Sequence, residues 1–330
     1  MATDSSTAVP EADLRLRSAN RSSERPGFSE GWFQVAYSDE LAPGAVLSLR
    51  YFGRDLVLFR TEGGRAQVLD AYCAHLGAHL GVGGVVTGDR LRCPFHAWEY
   101  GVDGACKAVP YSPKLPQAAV ASWPTEEKAG LVFMWYSPSA SPPKWPPPDM
   151  PEYGSDDWRG YRRSRFTVRT TTQEVIENIF DVAHGQYVHG NALGQALPVA
   201  NFRFADHTAI AELEIDLPSV GAATSNTVVC YGLGISISRS VGIGSKTLWA
   251  TNTPIDADHI DVRFSVLTAA STPRDPDGQI SIHSADATIL EFSKDIPIWE
   301  NKIYRSDPTL CVGDGPIGRF RLWAQQFQPG

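Results

Sequence analysis

The chain has 330 residues, 42% of them hydrophobic and 20% charged, with a formal net charge of −8. That length accommodates two domains, each with a core of its own, and the acidic balance argues against a nucleic-acid partner, because domains that grip phosphate backbones are usually basic. No run of about 18 apolar residues exists, which excludes a membrane-spanning helix.

Residues 1–27 mix Ser, Arg and acidic residues with no apolar core of a secretory signal, so they read as a mobile tail on a cytoplasmic protein. Over 28–137 the pattern is β: short β-branched and aromatic runs at 46–52, 56–60, 67–71 and 131–136 are separated by turn residues such as Gly53-Arg54 and Glu62-Gly63-Gly64. Residues 138–151 are too rich in proline for a helix interior or a central strand, and read as a semi-rigid extended linker. The remaining part, 152–330, opens with a strand at 165–170. A helix is expected over 172–187, with Thr170, Thr171 or Thr172 as its cap and Glu174 and Glu177 in its first turns. Strands follow at 209–217, 226–231, 247–253 and 258–268, the last with Ile260, Val262, Phe264 and Val266 alternating. The low-charge stretch 228–249 reads as sheet core for most of its residues, with the lining of an apolar pocket as the other reading. A last helix spans about 281–304, and Pro297 inside it is expected to kink or split it.

Two fragments carry chemistry. Cys73-Ala-His75 and Cys93-Pro-Phe-His96 each bring one thiolate and one imidazole to a single point, which suits a [2Fe-2S] cluster with two Cys on one iron and two His on the other, the Rieske ligand set. Structural zinc is the competing reading. Zinc fingers, however, usually pair Cys with Cys and His with His, and here each loop is mixed. Gly77, Gly81, Gly83, Gly84, Gly101 and Gly104 surround the pairs and would let backbone N–H groups approach cluster sulfurs. His79 reads as a loop or packing residue, and Cys106, Cys230 and Cys311 as buried apolar fillers.

The helix over 172–187 contains Asn178, Asp181 and His184, spaced three apart and therefore along one side, with His189 five residues beyond His184. His184 and His189 meet at one point only where the backbone bends near Gly185 or the helix end. Two His and one carboxylate with open positions form the facial triad of non-haem Fe(II) oxygenases. Asp181 is one candidate for the carboxylate; three residues before a ligand His, it is equally placed to hydrogen-bond that His instead. Asp181 and Asn178 are the candidate catalytic residues on this helix.

The order Cys73-x-His75, Cys93-x2-His96, Asp181-x2-His184-x4-His189, with a Pro-rich linker between, resembles the α-subunit of Rieske non-haem iron oxygenases. Within that family, Cys93-Pro-Phe-His-Ala-Trp-Glu-Tyr, Ile176-Glu-Asn-Ile-Phe-Asp-Val-Ala-His and Asp295-Ile-Pro-Ile-Trp-Glu-Asn-Lys are similar to the oxygenase component of 3-ketosteroid 9α-hydroxylase and to sterol 7-desaturases. The likeness runs from about Gly31 to Gln326, where the ketosteroid hydroxylases continue with further helix. It implies an α+β fold: an all-β Rieske domain followed by a helix-grip catalytic domain, an antiparallel sheet around a long helix. It implies further that Asp295 completes the triad with His184 and His189, and that Asp181 bridges a triad His to a Rieske His of a neighbouring subunit in a ring-shaped homotrimer. The activity implied is that of a terminal monooxygenase. Electrons come from a separate NAD(P)H-dependent reductase, in some systems through a ferredoxin, and O2 is used to hydroxylate or desaturate a large apolar substrate such as a steroid or polycyclic natural product. Competing readings are a Rieske oxygenase or demethylase of small aromatic compounds, a helix-grip lipid-binding protein with a vestigial metal site, and a pure electron carrier.

Overall fold

A computed structural model describes residues 27–189, 199–217, 222–242, 244–273, 275–311 and 313–328. The expected N-terminal tail, apart from Gly27, lies outside the described residues.

The first half is built of short strands: β1 (Gly31–Tyr37), β2 (Val46–Tyr51), β3 (Arg54–Arg60), β4 (Ala66–Asp70), β5 (Val85–Thr87), β6 (Arg90–Arg92), β7 (Glu99–Tyr100), β8 (Cys106–Ala108), β9 (Ser122–Trp123), β10 (Thr125–Lys128) and β11 (Leu131–Tyr136). They form three small antiparallel sheets, ordered β1-β11-β10, β2-β3-β4-β9 and β5-β6-β7-β8. Phe52, expected as the end of a strand, is instead the first residue of the β2–β3 turn. Both Phe52 (φ 56°) and Gly53 (φ 67°) lie in the left-handed region, as a two-residue hairpin turn matched to strand twist requires. The strain at Phe52 is offset by packing, because its ring stacks on Tyr136 at 4.0 Å.

The second half holds β12 (Arg162–Val168), α1 (Thr172–Asn178), α2 (Val182–Val188), β13 (Val199–Ala205), β14 (Thr208–Leu217), β15 (Ala222–Tyr231), β16 (Ile235–Val241), β17 (Lys246–Pro254), β18 (Ile260–Thr268), α3 (Gln279–Asn301) and α4 (Ile317–Ala324). Its sheet is a seven-stranded antiparallel one, ordered β12-β18-β17-β16-β15-β14-β13, with α3 packed on β12, β17 and β18. Val262, Phe264 and Val266 on one face of β18 meet Ile289, Phe292 and Ile296 of α3, which is the alternation read from the sequence. The opposite face of β18 is polar, yet it is buried as well. There Asp261 accepts hydrogen bonds from Tyr51 Oη at 2.7 Å and Arg263 Nε at 3.0 Å, and Arg263 also donates to Val35 O at 3.2 Å. These partners come from β1 and β2, so the first half covers this face of the large sheet.

Three expectations change. The helix over 172–187 is two helices, because Asp181 leaves helical geometry (ψ 90°) and caps α2 by accepting from His184 N–H at 3.2 Å. Pro297 does not split α3, which runs unbroken over Gln279–Asn301. It stands on the exposed side one turn from the C-terminal end, where a missing N–H forfeits only one helical hydrogen bond. Residues 138–151 do lack regular structure, but they are not a free spacer: Trp145 is buried against Trp135 and His207, and Trp32 Nε1 donates to its carbonyl at 2.5 Å. Trp32, Phe133 and Trp135 accordingly share one core with Ile235, Ile237 and Trp249 across the two halves. Strands β1, β5 to β10, β13 and β16 were absent from the sequence reading.

Candidate metal centres

The two Cys/His loops repeat one backbone geometry. In the first, Cys73 N–H donates to Ala78 O at 2.9 Å and Gly77 N–H to Cys73 O at 2.9 Å; in the second, Cys93 N–H donates to Trp98 O at 2.8 Å and Ala97 N–H to Cys93 O at 3.2 Å. Gly77 (φ 73°) and Ala97 (φ 57°) hold equivalent left-handed positions, and Ala97 does so at a steric cost glycine avoids. The thiols of Cys73 and Cys93 point inward and are buried, while the rings of His75 and His96 stand half-exposed at the outer edge, 4.8 Å apart. Trp98 stacks flat on His75 at 4.5 Å, and Tyr100 Oη lies 3.0 Å from Cys73 Sγ. Burial pushes the Cys93 thiol up, and the Cys73 thiol beside it adds to the shift. His75 Nδ1 is buried with no hydrogen-bond partner. Two neighbouring buried thiols and an orphaned imidazole nitrogen at one point form a donor set that a thiophilic cluster satisfies and a packed core does not.

Two of the flanking glycines, Gly84 and Gly104, have a packing role. A Cβ on Gly104 (φ 75°) would stand 2.1 Å from Val120 O, and one on Gly84 would stand 2.0 Å from Leu80 O, so these positions admit a neighbouring carbonyl. His79 Nδ1 accepts from Gly81 N–H at 3.1 Å and its ring packs edge-on to Tyr72. Cys106 and Cys230 are buried as expected, whereas Cys311 is exposed in a loop where Asp314 caps it.

The second group is assembled from three elements. His184 lies in the first turns of α2, and His189 is the residue that ends that helix (φ −94°, ψ −12°). Their rings are 5.2 Å apart and nearly perpendicular. Asp295 enters from α3, and the ligand atoms of His184, His189 and Asp295 all lie within 4.8 Å of one another, with His189 Nε2 3.5 Å from Asp295 Oδ2. Asn178, at the end of α1, places its side-chain nitrogen 3.0 Å from His184 Nε2. The carboxyl of Asp295 is pushed up by burial, against the pull of both His rings and the Asn178 amide.

Asp181 hydrogen-bonds His184, through the main chain. Its carboxylate caps the His184 backbone N–H, and it is the Asp181 main-chain carbonyl that meets His184 Nδ1. Glu291, one helical turn before Asp295, was missed; its carboxylate lies 3.2 Å from His189 Nδ1 and also pairs with Lys294 at 2.7 Å. The signal for it is the four-residue spacing from Asp295, which puts both carboxylates on one face of α3. A cavity of about 520 Å³ lies elsewhere, between the halves, lined by Leu47, Leu49, Arg50, Arg165, Ile255 and Arg263 among others, and contains none of these groups.

Residues 31–124 match the Rieske [2Fe-2S] domain, and residues 134–328 match the 3-Ketosteroid 9alpha-hydroxylase C-terminal domain. The chain is 30% identical to cholesterol 7-desaturase nvd 1 of Ciona intestinalis over 92% of its own length and 69% of that protein. It is also 30% identical to the oxygenase component of 3-ketosteroid-9-alpha-monooxygenase from Rhodococcus rhodochrous, covering 95% of this chain and 86% of that one. Among solved structures, NdmA of Pseudomonas putida CBB5 has the same fold, with a TM-score of 0.71 at 21% identity over 89% of this chain and 88% of that one. The first half is therefore a Rieske [2Fe-2S] domain, and a mononuclear non-haem iron serves the second half. The matches over residues 31–124 and 134–328 thus place the chain in the Rieske non-haem iron oxygenases, in the family that contains the 3-ketosteroid 9α-hydroxylase and cholesterol 7-desaturase oxygenases.

Proposed function

We propose that this oxygenase hydroxylates or desaturates a C–H bond of a large, flat, apolar molecule of the steroid class. The observation that carries the reading is the convergence of His184, His189 and Asp295 within 4.8 Å, drawn from two separate helices, in a chain that also bears paired Cys/His loops. Two imidazoles and one carboxylate suit ferrous iron with positions left for O2 and substrate. In this reading residues 28–137 are the cluster domain, 138–151 the connection and 152–330 the catalytic domain, with 1–27 as a preceding tail. Cys73, Cys93, His75 and His96 hold the cluster. When bound, the cluster relays single electrons and the mononuclear iron activates dioxygen toward a C–H bond.

The chain's own residues do the positioning. Asn178 hydrogen-bonds His184, and the carboxylates of Glu291 and Asp295 stand on either side of the His189 ring. Val228, Leu248 and Ala250 lie on the face of the sheet that α3 covers, which supports an apolar skeleton there. The names of the relatives support a sterol or ketosteroid. Electrons come from a separate reductase, as befits an oxygenase component; we place a ferredoxin between the two where the reductase does not dock directly. We further propose a head-to-tail homotrimer in the cytoplasm, in which Asp181 links His184 of one subunit to His96 of the neighbouring subunit. Exposed Leu76, Phe95 and Tyr111 around the two cluster-domain His rings support such a contact. No helix among the described residues is long and apolar enough to cross a membrane.

The test is turnover of the holoenzyme with a supplied reductase against a panel of steroids and aromatic acids, read by mass. A steroid that gains one oxygen or loses two hydrogens is the expected result. Conversion of aromatic acids alone, or loss of a methyl group from them, overturns the substrate class.

A further inference from the structure

Ser284, Thr288, Glu291 and Asp295 recur at intervals of four, three and four residues on α3 and form one stripe along it. Glu291 and Asp295 touch His189 at one end of that stripe. At the other end Ser284 Oγ accepts from Lys246 Nζ at 2.5 Å, reaching across from the start of β17. The eleven positions between Ser284 and Asp295 correspond to about 16 Å along the helix axis.

The facing side of the sheet grades in the same direction. Strand register sets Lys246 beside Ser240, Leu248 beside Ser238 and Ser240 beside Asn226, and Ser238 Oγ donates to Asn226 Oδ1 at 2.8 Å. The end near Lys246 is therefore polar, while Leu248 and Ala250 continue an apolar row beyond it. Ser238, Ser240, Lys246 and Ala250 are half-buried. The turn before β17 closes the end: Gly244 (φ 75°) packs against α3 so tightly that a Cβ there would lie 3.0 Å from Ser284 Cβ.

Among the described residues no carboxylate pairs with Lys246, and burial pushes its ammonium down to about 8. A half-buried cation with one neutral hydroxyl as partner lacks the counter-charge that such groups ordinarily have. We infer that the large apolar substrate ends in a carboxylate, which Lys246 Nζ and the Ser284 hydroxyl bind while the reacting carbon lies beside His184, His189 and Asp295. The inference rests on the proposed substrate class, and adds to it a charge and a direction of binding. A single aromatic ring does not span that interval.

Calorimetric titration of the holoenzyme with a tetracyclic steroid acid and with its methyl ester tests it. The acid should bind about 10- to 100-fold more tightly than the ester, the range expected of a hydrogen-bonded charge. Lys246→Met should abolish the preference with iron content and cluster spectrum intact, and Lys246→Arg should keep most of it. Equal binding of acid and ester by the wild type, or an undiminished preference in Lys246→Met, overturns the inference. Should neither compound bind, the steroid reading fails; a long-chain fatty acid against its methyl ester then puts the same question to Lys246, and equal binding of those two overturns it.

Discussion

Replacing Asp261 by Asn attacks the polar layer between the two halves of the molecule, where the size of the effect follows from the contacts. Asp261 is fully buried and accepts from Tyr51 Oη at 2.7 Å, from Arg165 Nε and a terminal nitrogen at 2.8 Å each, and from Arg263 Nε at 3.0 Å. Burial alone would raise its carboxyl, but Arg263, Arg165 and Tyr51 hold it below the ordinary range. Asp261→Asn leaves the Arg263 guanidinium, 4% exposed, with only Glu40 at 3.7 Å as an opposite charge. Breaking one side of a buried pair costs about 3–5 kcal/mol. For a chain of 330 residues that converts to a fall of about 4–7 °C in Tm. The pH dependence has a definite sign. A carboxylate whose folded pKa is depressed contributes stability that is fully present above its unfolded value, near 4, and is lost as pH falls through the folded value. Calorimetry at pH 7 should show the full deficit, and the gap to wild type should narrow below about pH 4. Combining Asp261→Asn with Arg263→Met should cost less than the sum of the single changes. A deficit under about 1 kcal/mol, or one that does not change with pH, would refute the claim that this layer joins the halves through a compensated buried charge.

Glu291→Gln should weaken mononuclear iron binding about 10- to 100-fold while the cluster spectrum stays as in wild type, because His189 loses the carboxylate beside Nδ1; metal titration of the iron-depleted enzyme reads this directly. Gly104→Ala should destabilise the first half by at least about 2 kcal/mol, since the new Cβ meets Val120 O in a left-handed backbone, and denaturant unfolding followed through the cluster absorbance measures it. Chains carrying His96→Ala and chains carrying His184→Ala, each inactive alone, should recover partial turnover when coexpressed as hybrid trimers. Hybrids that form yet stay inactive would put electron transfer within one chain.

Much of the chemistry was legible because it is local. Each Cys/His pair spans only three or four residues and closes its own loop, so spacing alone carried the cluster. The strands that alternate cleanly, β18 above all, could be read for the same reason. What the sequence hid was set by distant parts of the chain. β18 is polar on the side that the first half covers, and nothing local announces that Tyr51 and Val35 will arrive there. The split between α1 and α2 turned on Asp181 serving as a cap, where periodicity suggested a helix interior. That split brings Asn178 against His184, a contact that no continuous helix makes across six residues. Asp295 was reached through family likeness and Glu291 not at all, because an Asp and a Glu on a long helix are ordinary until the packing of α3 brings them to His189.

The central claim is that His184, His189 and Asp295 hold an iron separate from the Cys/His cluster, and metal analysis of Asp295→Ala tests it most directly. Purified anaerobically, the wild type should contain about three irons and two acid-labile sulfides per chain. The variant should fall to about two irons, keep both sulfides and the Rieske absorbance, and form no product. A variant that retained the third iron and full turnover would contradict the account.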